Sequence, residues 1–173
     1  MSKASKIASD LGTPNDLPQG ATDKISAALN TLLADAFALY IKTKNFHWHV
    51  SGRHFHDYHV MLDEQSEAIF ATTDQLAERV RKIGGATLRS IGHIAKLQTI
   101  QDNNEQYVPP REMLRELMED NKHMAAAMRK AHKLCDENED SGTAGLLETF
   151  IDETERRTWF LFEASRQEGS NAA

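Results

Sequence analysis

Apolar residues recur every three to four positions along most of the chain, which predicts long amphipathic helices and no strands. From about Thr22 to Val50, the positions Ile25, Leu29, Leu32, Ala36, Tyr40 and His47 share one helical face. Ser51-Gly52-Arg53 is a turn signal. A second helix is expected from about His54 to Ile83, with Phe55, Leu62, Ile69, Thr73, Leu76 and Val80 as its apolar stripe and Gly84-Gly85 as its stop. The next stretch is weaker. Ile91, Ile94 and Leu97 suit a short helix, and Gln101-Asp102-Asn103-Asn104 suits a loop. Pro109-Pro110 then opens a third long helix whose inner face is Leu114, Leu117, Met124, Met128, Ala131 and Leu134. After an acidic turn, a fourth helix begins at about Thr143, with Leu147, Phe150, Ile151, Phe160 and Leu161 inward.

These elements predict an all-α domain over residues 21–168, between a flexible tail (1–20) and a frayed end (169–173). Helices of about 25–30 residues span about 40 Å. Short turns make the first pair and the last pair antiparallel, while the middle connection of about 25 residues exceeds a hairpin. One long crossover with its own short helix is the ferritin-like kind of four-helix bundle.

Composition narrows the chemistry. A chain of 173 residues, 40% hydrophobic, suits one soluble domain. The single cysteine, Cys135, excludes a disulfide framework and a thiolate metal site. The net charge of −6 excludes a strongly basic nucleic-acid binder. The N-terminus lacks the apolar core of a secretory signal, and no run of 18 uncharged apolar residues predicts a membrane span, so the expected compartment is the cytoplasm. Five of the eight histidines, at positions 47, 49, 54, 56 and 59, fall within 13 residues.

The second helix carries His59 and Asp63 at i,i+4, and again Asp74 and Glu78 at i,i+4. All four lie within an arc of about 100° bordering the apolar stripe. Asp63 and Asp74 are about 16 Å apart along the axis, too far for one ion. Two copies of the helix packed antiparallel across a two-fold axis would bring the first pair of one chain against the second pair of the other. His47, near the end of the first helix, is placed to join. Imidazoles with carboxylates suit iron, with zinc and manganese as competitors. An intrachain di-metal site needs Glu-x-x-His on two helices. Only Asp120-x-x-His123 approaches it, so the bundle interior is expected to be apolar.

Plainer readings stand beside this one. An acid pair such as Asp74 and Glu78 is ordinarily a solvated face, His47 suits a core histidine, and Glu78 and Arg79 suit surface ion pairs. His49, His54 and His56 are expected to be exposed, and Trp159 to pack. The spacing alone does not decide between these readings.

The run Lys44-Asn45-Phe46-His47-Trp48, with Gly52, Phe55, His59, Leu62-Asp63-Glu64, Asp74, Ala77-Glu78-Arg79 and Gly84-Gly85, strongly resembles the Dps family, the mini-ferritins known as DNA-binding proteins from starved cells. The close match covers about 40 residues, and the helix pattern extends it from 22 to 168. The resemblance implies a hollow shell of twelve subunits with two-iron ferroxidase sites at two-fold interfaces. It implies His47, His59 and Asp63 as ligands from one subunit, and Asp74 and a bridging Glu78 from its partner. Trp48 would be an electron donor or radical trap. The implied reaction oxidises Fe(II), preferably with hydrogen peroxide, and stores a ferric mineral, protecting the cell against oxidative stress. Asp140, Glu148 and Asp152 are candidates for lining a pore through which iron passes. Two features depart from the family. His49 stands where Asn is frequent, which leaves the number of bound metals open. The tail is poor in positive charge, so Lys3 and Lys6 would give only weak DNA avidity at low salt. A DNA-compacting structural protein and a catalytically silent oligomer are the competing functions.

Overall fold

A computed structural model describes residues 11–18 and 20–166. Five helices follow one another: α1 (Ala21–His49), α2 (Phe55–Lys82), α3 (Ile91–Leu97), α4 (Pro110–Asp136) and α5 (Ser141–Ser165), with no strand among the described residues. The helices α1 and α2 form one hairpin, α4 and α5 the other, and α1 packs on α4 across the bundle, while α3 lies against α1 in the crossover. The predicted bundle and crossover helix are therefore both present. The seam between α2 and α5 is the loosest, as the two helices barely touch.

The core is built from the predicted stripes. Ile25, Leu29, Leu62, Leu114, Leu147 and Leu161 are fully enclosed, each contributing about 2 kcal/mol by burial. Three aromatic assignments differ. Phe55 (46% exposed), Phe160 (41%) and Trp159 (60%) stand on the surface. The α1 helix is long and apolar enough to cross a membrane by length and composition alone, contrary to the reading from uninterrupted runs. However, 56% of its most apolar stretch is buried inside the bundle, the pattern of a core helix.

Polar anchors fix the connections. Asp35, fully buried on α1, accepts hydrogen bonds from Thr99 Oγ1 (2.8 Å) and from the backbone N–H of Ile100 (3.0 Å), pinning the crossover. The end of α2 is set by Gly84 at φ +86°, a left-handed turn that favours glycine. Gly85 follows so close to α1 that a Cβ would lie 2.0 Å from Ser26 Oγ. The segment before α1 is not loose throughout. Thr13 Oγ1 donates to the Arg81 carbonyl (2.8 Å) and Asn15 Nδ2 to the Ile83 carbonyl (2.9 Å), docking this part of the expected tail on the end of α2. Lys3, Lys6 and the expected frayed end at 169–173 lie outside the described residues.

Candidate metal centre

The end of α1 and the start of α2 bring His47 and His59 face to face. Their rings stack with centroids 3.8 Å apart and planes inclined by 23°. His47 Nδ1 lies 2.8 Å from the His59 carbonyl, and His59 Nδ1 lies 2.9 Å from the His47 carbonyl. A carbonyl only accepts, so both Nδ1 atoms carry the proton and donate. In the neutral rings, both Nε2 atoms then keep a lone pair. Orienting a ligating imidazole through its other nitrogen is the usual way a protein prepares it for a metal.

Asp63 stands beside this pair of rings. One carboxylate oxygen lies 3.8 Å from His47 Nε2 and is ion-paired with Lys44 Nζ. The hydrogen bond from Lys44 holds the Asp63 carboxyl below its ordinary range, and Asp63 raises the Lys44 ammonium in turn. The ammonium thus occupies the position of a cation on this carboxylate. Sequence reasoning missed Lys44 because the contact crosses from α1 to α2.

Asp74 and Glu78 lie farther along α2, which continues unbroken past Asp63. Both are exposed, and Glu78 pairs with Lys82 at 3.0 Å, as the surface reading expected. Among the described residues, no three His, Cys, Asp or Glu side chains converge on one point in the single chain. Trp48 is 61% exposed beside His47. His49, His54 and His56 are exposed as expected.

At 100° per residue, Phe70 falls within about 20° of Asp63, and Asp74 within about 20° on the other side. One face of α2 therefore carries His59, Asp63, Phe70, Asp74 and Glu78. Phe70 is half exposed, and with Tyr40 (ring centroids 4.9 Å apart), Ile41 (57% exposed) and Ile91 (80%) it forms an apolar surface between the two groups of ligand candidates.

The three pore candidates separate. Asp140 is 2% exposed. It caps α5 by accepting from the Thr143 N–H (2.9 Å) and takes an ion pair from Arg79, so its carboxylate is committed to structure. Glu148 and Asp152 are exposed and line an open hollow between α4 and α5 with Arg129, His132 and Glu155. His132 Nε2 sits 3.1 Å from Glu148 and its Nδ1 3.2 Å from Asp136. This surface mixes both signs of charge.

The bundle interior also departs from the apolar expectation. Lys42 is 5% exposed between Glu116 (3.0 Å) and Asp120 (2.7 Å). Burial pushes the Asp120 carboxyl up, against the pull of Lys42. His123 pairs with the Thr99 hydroxyl at 2.7 Å, so the Asp120-x-x-His123 motif is divided between two structural contacts. Deeper in the bundle, Arg157 donates to Asn121 and Thr154.

The ferritin-like domain family matches residues 26–166. DNA protection during starvation protein 1 of Deinococcus radiodurans is 29% identical, over 89% of this chain and 78% of the relative. The DNA protection during starvation protein of Agrobacterium fabrum is 31% identical, over 91% of this chain and 97% of the relative. Among solved structures, the Dps protein of Vibrio cholerae O1, a member of a broad superfamily of ferritin-like diiron-carboxylate proteins, superposes with a TM-score of 0.84 at 24% identity, covering 90% of this chain and 98% of that one. With its ferritin-like bundle and the Agrobacterium relative matched over nearly its whole length, the chain belongs to the Dps family.

Proposed function

We propose that this protein is an iron-oxidising mini-ferritin. Fe(II) binds as substrate between two chains, with His47, His59 and Asp63 from one and Asp74 and Glu78 from the other. The observation that carries this reading is the pair of stacked, Nδ1-protonated imidazoles beside Asp63. It forms half of a ligand set, and matching carboxylates stand on the same helix face across an apolar contact surface.

Two Fe(II) ions supply two electrons to one hydrogen peroxide. With two protons, the products are two Fe(III) and two waters. The chain's own groups position and stabilise. The imidazoles present neutral nitrogen, and the carboxylates favour the higher charge of the ferric product. Lys44 must leave Asp63 for iron to use both carboxylate oxygens. Trp48, exposed next to His47, is placed to give up an electron when iron supplies too few.

The apolar face favours a two-fold dimer as the building unit of a hollow shell. Twelve chains of 19.4 kDa would have a mass of about 233 kDa. The acidic chain favours cation uptake over DNA contact. Removing Fe(II) and peroxide together would protect DNA without binding it. Cytoplasmic location fits this reading.

Anaerobic Fe(II) titration followed by peroxide is the deciding experiment. Wild-type protein should oxidise two Fe(II) per site, and Asp74→Ala/Glu78→Ala should lose this. An unchanged rate in the double variant would remove the ligand assignment. A gel shift at low salt that disappears on deleting residues 1–20 would instead favour DNA binding.

A further inference from the structure

Among the described residues, the buried cations are closely partnered by carboxylates, with one exception. Lys42 has two carboxylates. Arg157 is 7% exposed, yet its hydrogen bonds go to neutral groups, Nε to Asn121 Oδ1 (3.0 Å) and Nη2 to Thr154 Oγ1 (2.6 Å). Among the described residues, no carboxylate reaches its guanidinium within ion-pair distance; Glu153 acts on it only from farther away. Burial lowers Arg157 to about 10, so it remains charged at neutral pH. A buried cation without a counter-charge is costly. A guanidinium has five N–H donors; two make the bonds above, and among the described residues the others have no protein partner and stay open to water or a ligand.

Arg157 lines a cavity of about 270 Å³ in the loose seam between α2 and α5. Gln65, itself 7% exposed, stands on the α2 wall, Arg156 adds a second cation, and Glu64 and Glu153 supply two carboxylates. The volume is several times the roughly 30 Å³ share of one water. Gln65 lies about 200° around α2 from Asp63, so this cavity opens away from the paired histidines.

The donor and acceptor inventory selects the occupant. A guanidinium calls for an anion with oxygen acceptors. The facing carboxylates repel an anion that cannot donate, and accept from one that carries O–H groups. We propose that the α2–α5 cavity binds a small protonated oxyanion of the hydrogen phosphate class. Its bare oxygens take the open Arg157 donors, and its O–H donates to a carboxylate of the lining, Glu64 or Glu153. This site is separate from the proposed iron centre and does not depend on it.

The test uses the iron-free, full-length protein with inorganic phosphate as probe. Equilibrium dialysis should find saturable binding approaching one phosphate per chain. Melting temperature should rise with phosphate at constant pH and ionic strength, because a ligand that binds only the folded state stabilises it. Arg157→Met should weaken binding by at least about tenfold. Ala68→Leu, which fills the cavity from an exposed position while keeping the cation, should do the same. Sulfate, which has no proton to donate at neutral pH, should bind more weakly. Absence of saturable phosphate binding by the wild type, undiminished binding by Ala68→Leu, or equal binding of sulfate would overturn the proposal. Should Arg157→Met fail to fold, Ala68→Leu decides.

Discussion

His47 and His59 fix each other's protonation through their backbones, each ring donating Nδ1–H to the other residue's carbonyl, at 2.8 and 2.9 Å. Long-range ¹⁵N–¹H correlation spectra of the iron-free protein should therefore show both rings as Nδ1-protonated tautomers. Adding Fe(II) anaerobically should perturb Nε2 of both rings. Spectra with Nε2 protonated would contradict the ligand geometry. Exchanging one ring for a residue that cannot donate, as in His59→Ala, removes a ligand and the stacked ring, while the backbone carbonyl that orients His47 stays in place. The loss of iron affinity should then exceed the 10–100-fold typical of removing an orienting partner alone.

Lys44 sets the second prediction. Its hydrogen bond holds Asp63 below the ordinary carboxylate range. Lys44→Met should release that carboxyl upward. At neutral pH, Asp63 stays ionised and the competing ammonium is gone, so Fe(II) should bind more tightly. As pH falls, a proton should reach Asp63 earlier than in the wild type, so the variant's iron affinity should decline at higher pH. Anaerobic calorimetry across the acidic range measures both effects. Weaker binding at neutral pH would show that Lys44 supports the metal rather than competing with it.

The helices were legible because their cores follow a 3.6-residue period, and each observed boundary lies within about two residues of its signal. Phe55, Phe160 and Trp159 were misplaced for a reason inherent in that signal. A helix pattern counts an apolar residue as inward, and a surface that faces another molecule reads the same way. Asp140 carried a readable cap signature, an acid three residues before Thr143 at a helix start. Arg157 was also readable in part, since Phe150, Thr154, Arg157 and Leu161 form one inward stripe. What the sequence could not supply was pairing between helices: Lys44 with Asp63, Lys42 with Asp120, and Arg157 with Asn121 are each set only by packing.

The separation of Asp140 from its acidic neighbours is measurable. Asp140→Ala removes a helix cap and strands Arg79 beside a buried site, so it should destabilise the fold by about 3 kcal/mol. Glu148→Ala alters a side chain that is 70% exposed and pairs with His132. It should stay within about 0.5 kcal/mol of wild type. Guanidinium unfolding followed by circular dichroism compares the two. Equal effects would mean that the cap and the Arg79 pair contribute little.

The apolar surface around Phe70 and Ile91 gives the most demanding prediction, because it couples assembly to chemistry. Phe70 and Ile91 cover no core of their own chain, being 50% and 80% exposed. Ile91→Glu should therefore leave the helical content of each chain intact. If the face is the two-fold contact, however, the variant should scatter light as a species far smaller than the wild type. Separating the chains also separates His47, His59 and Asp63 from the partner's carboxylates, so peroxide-driven Fe(II) oxidation should collapse in step with assembly. Adding Asp74→Ala/Glu78→Ala to Ile91→Glu should then cost almost nothing further, since residues acting as one unit are lost together. An Ile91→Glu protein that stays small but oxidises iron at the wild-type rate would place the complete site within one chain.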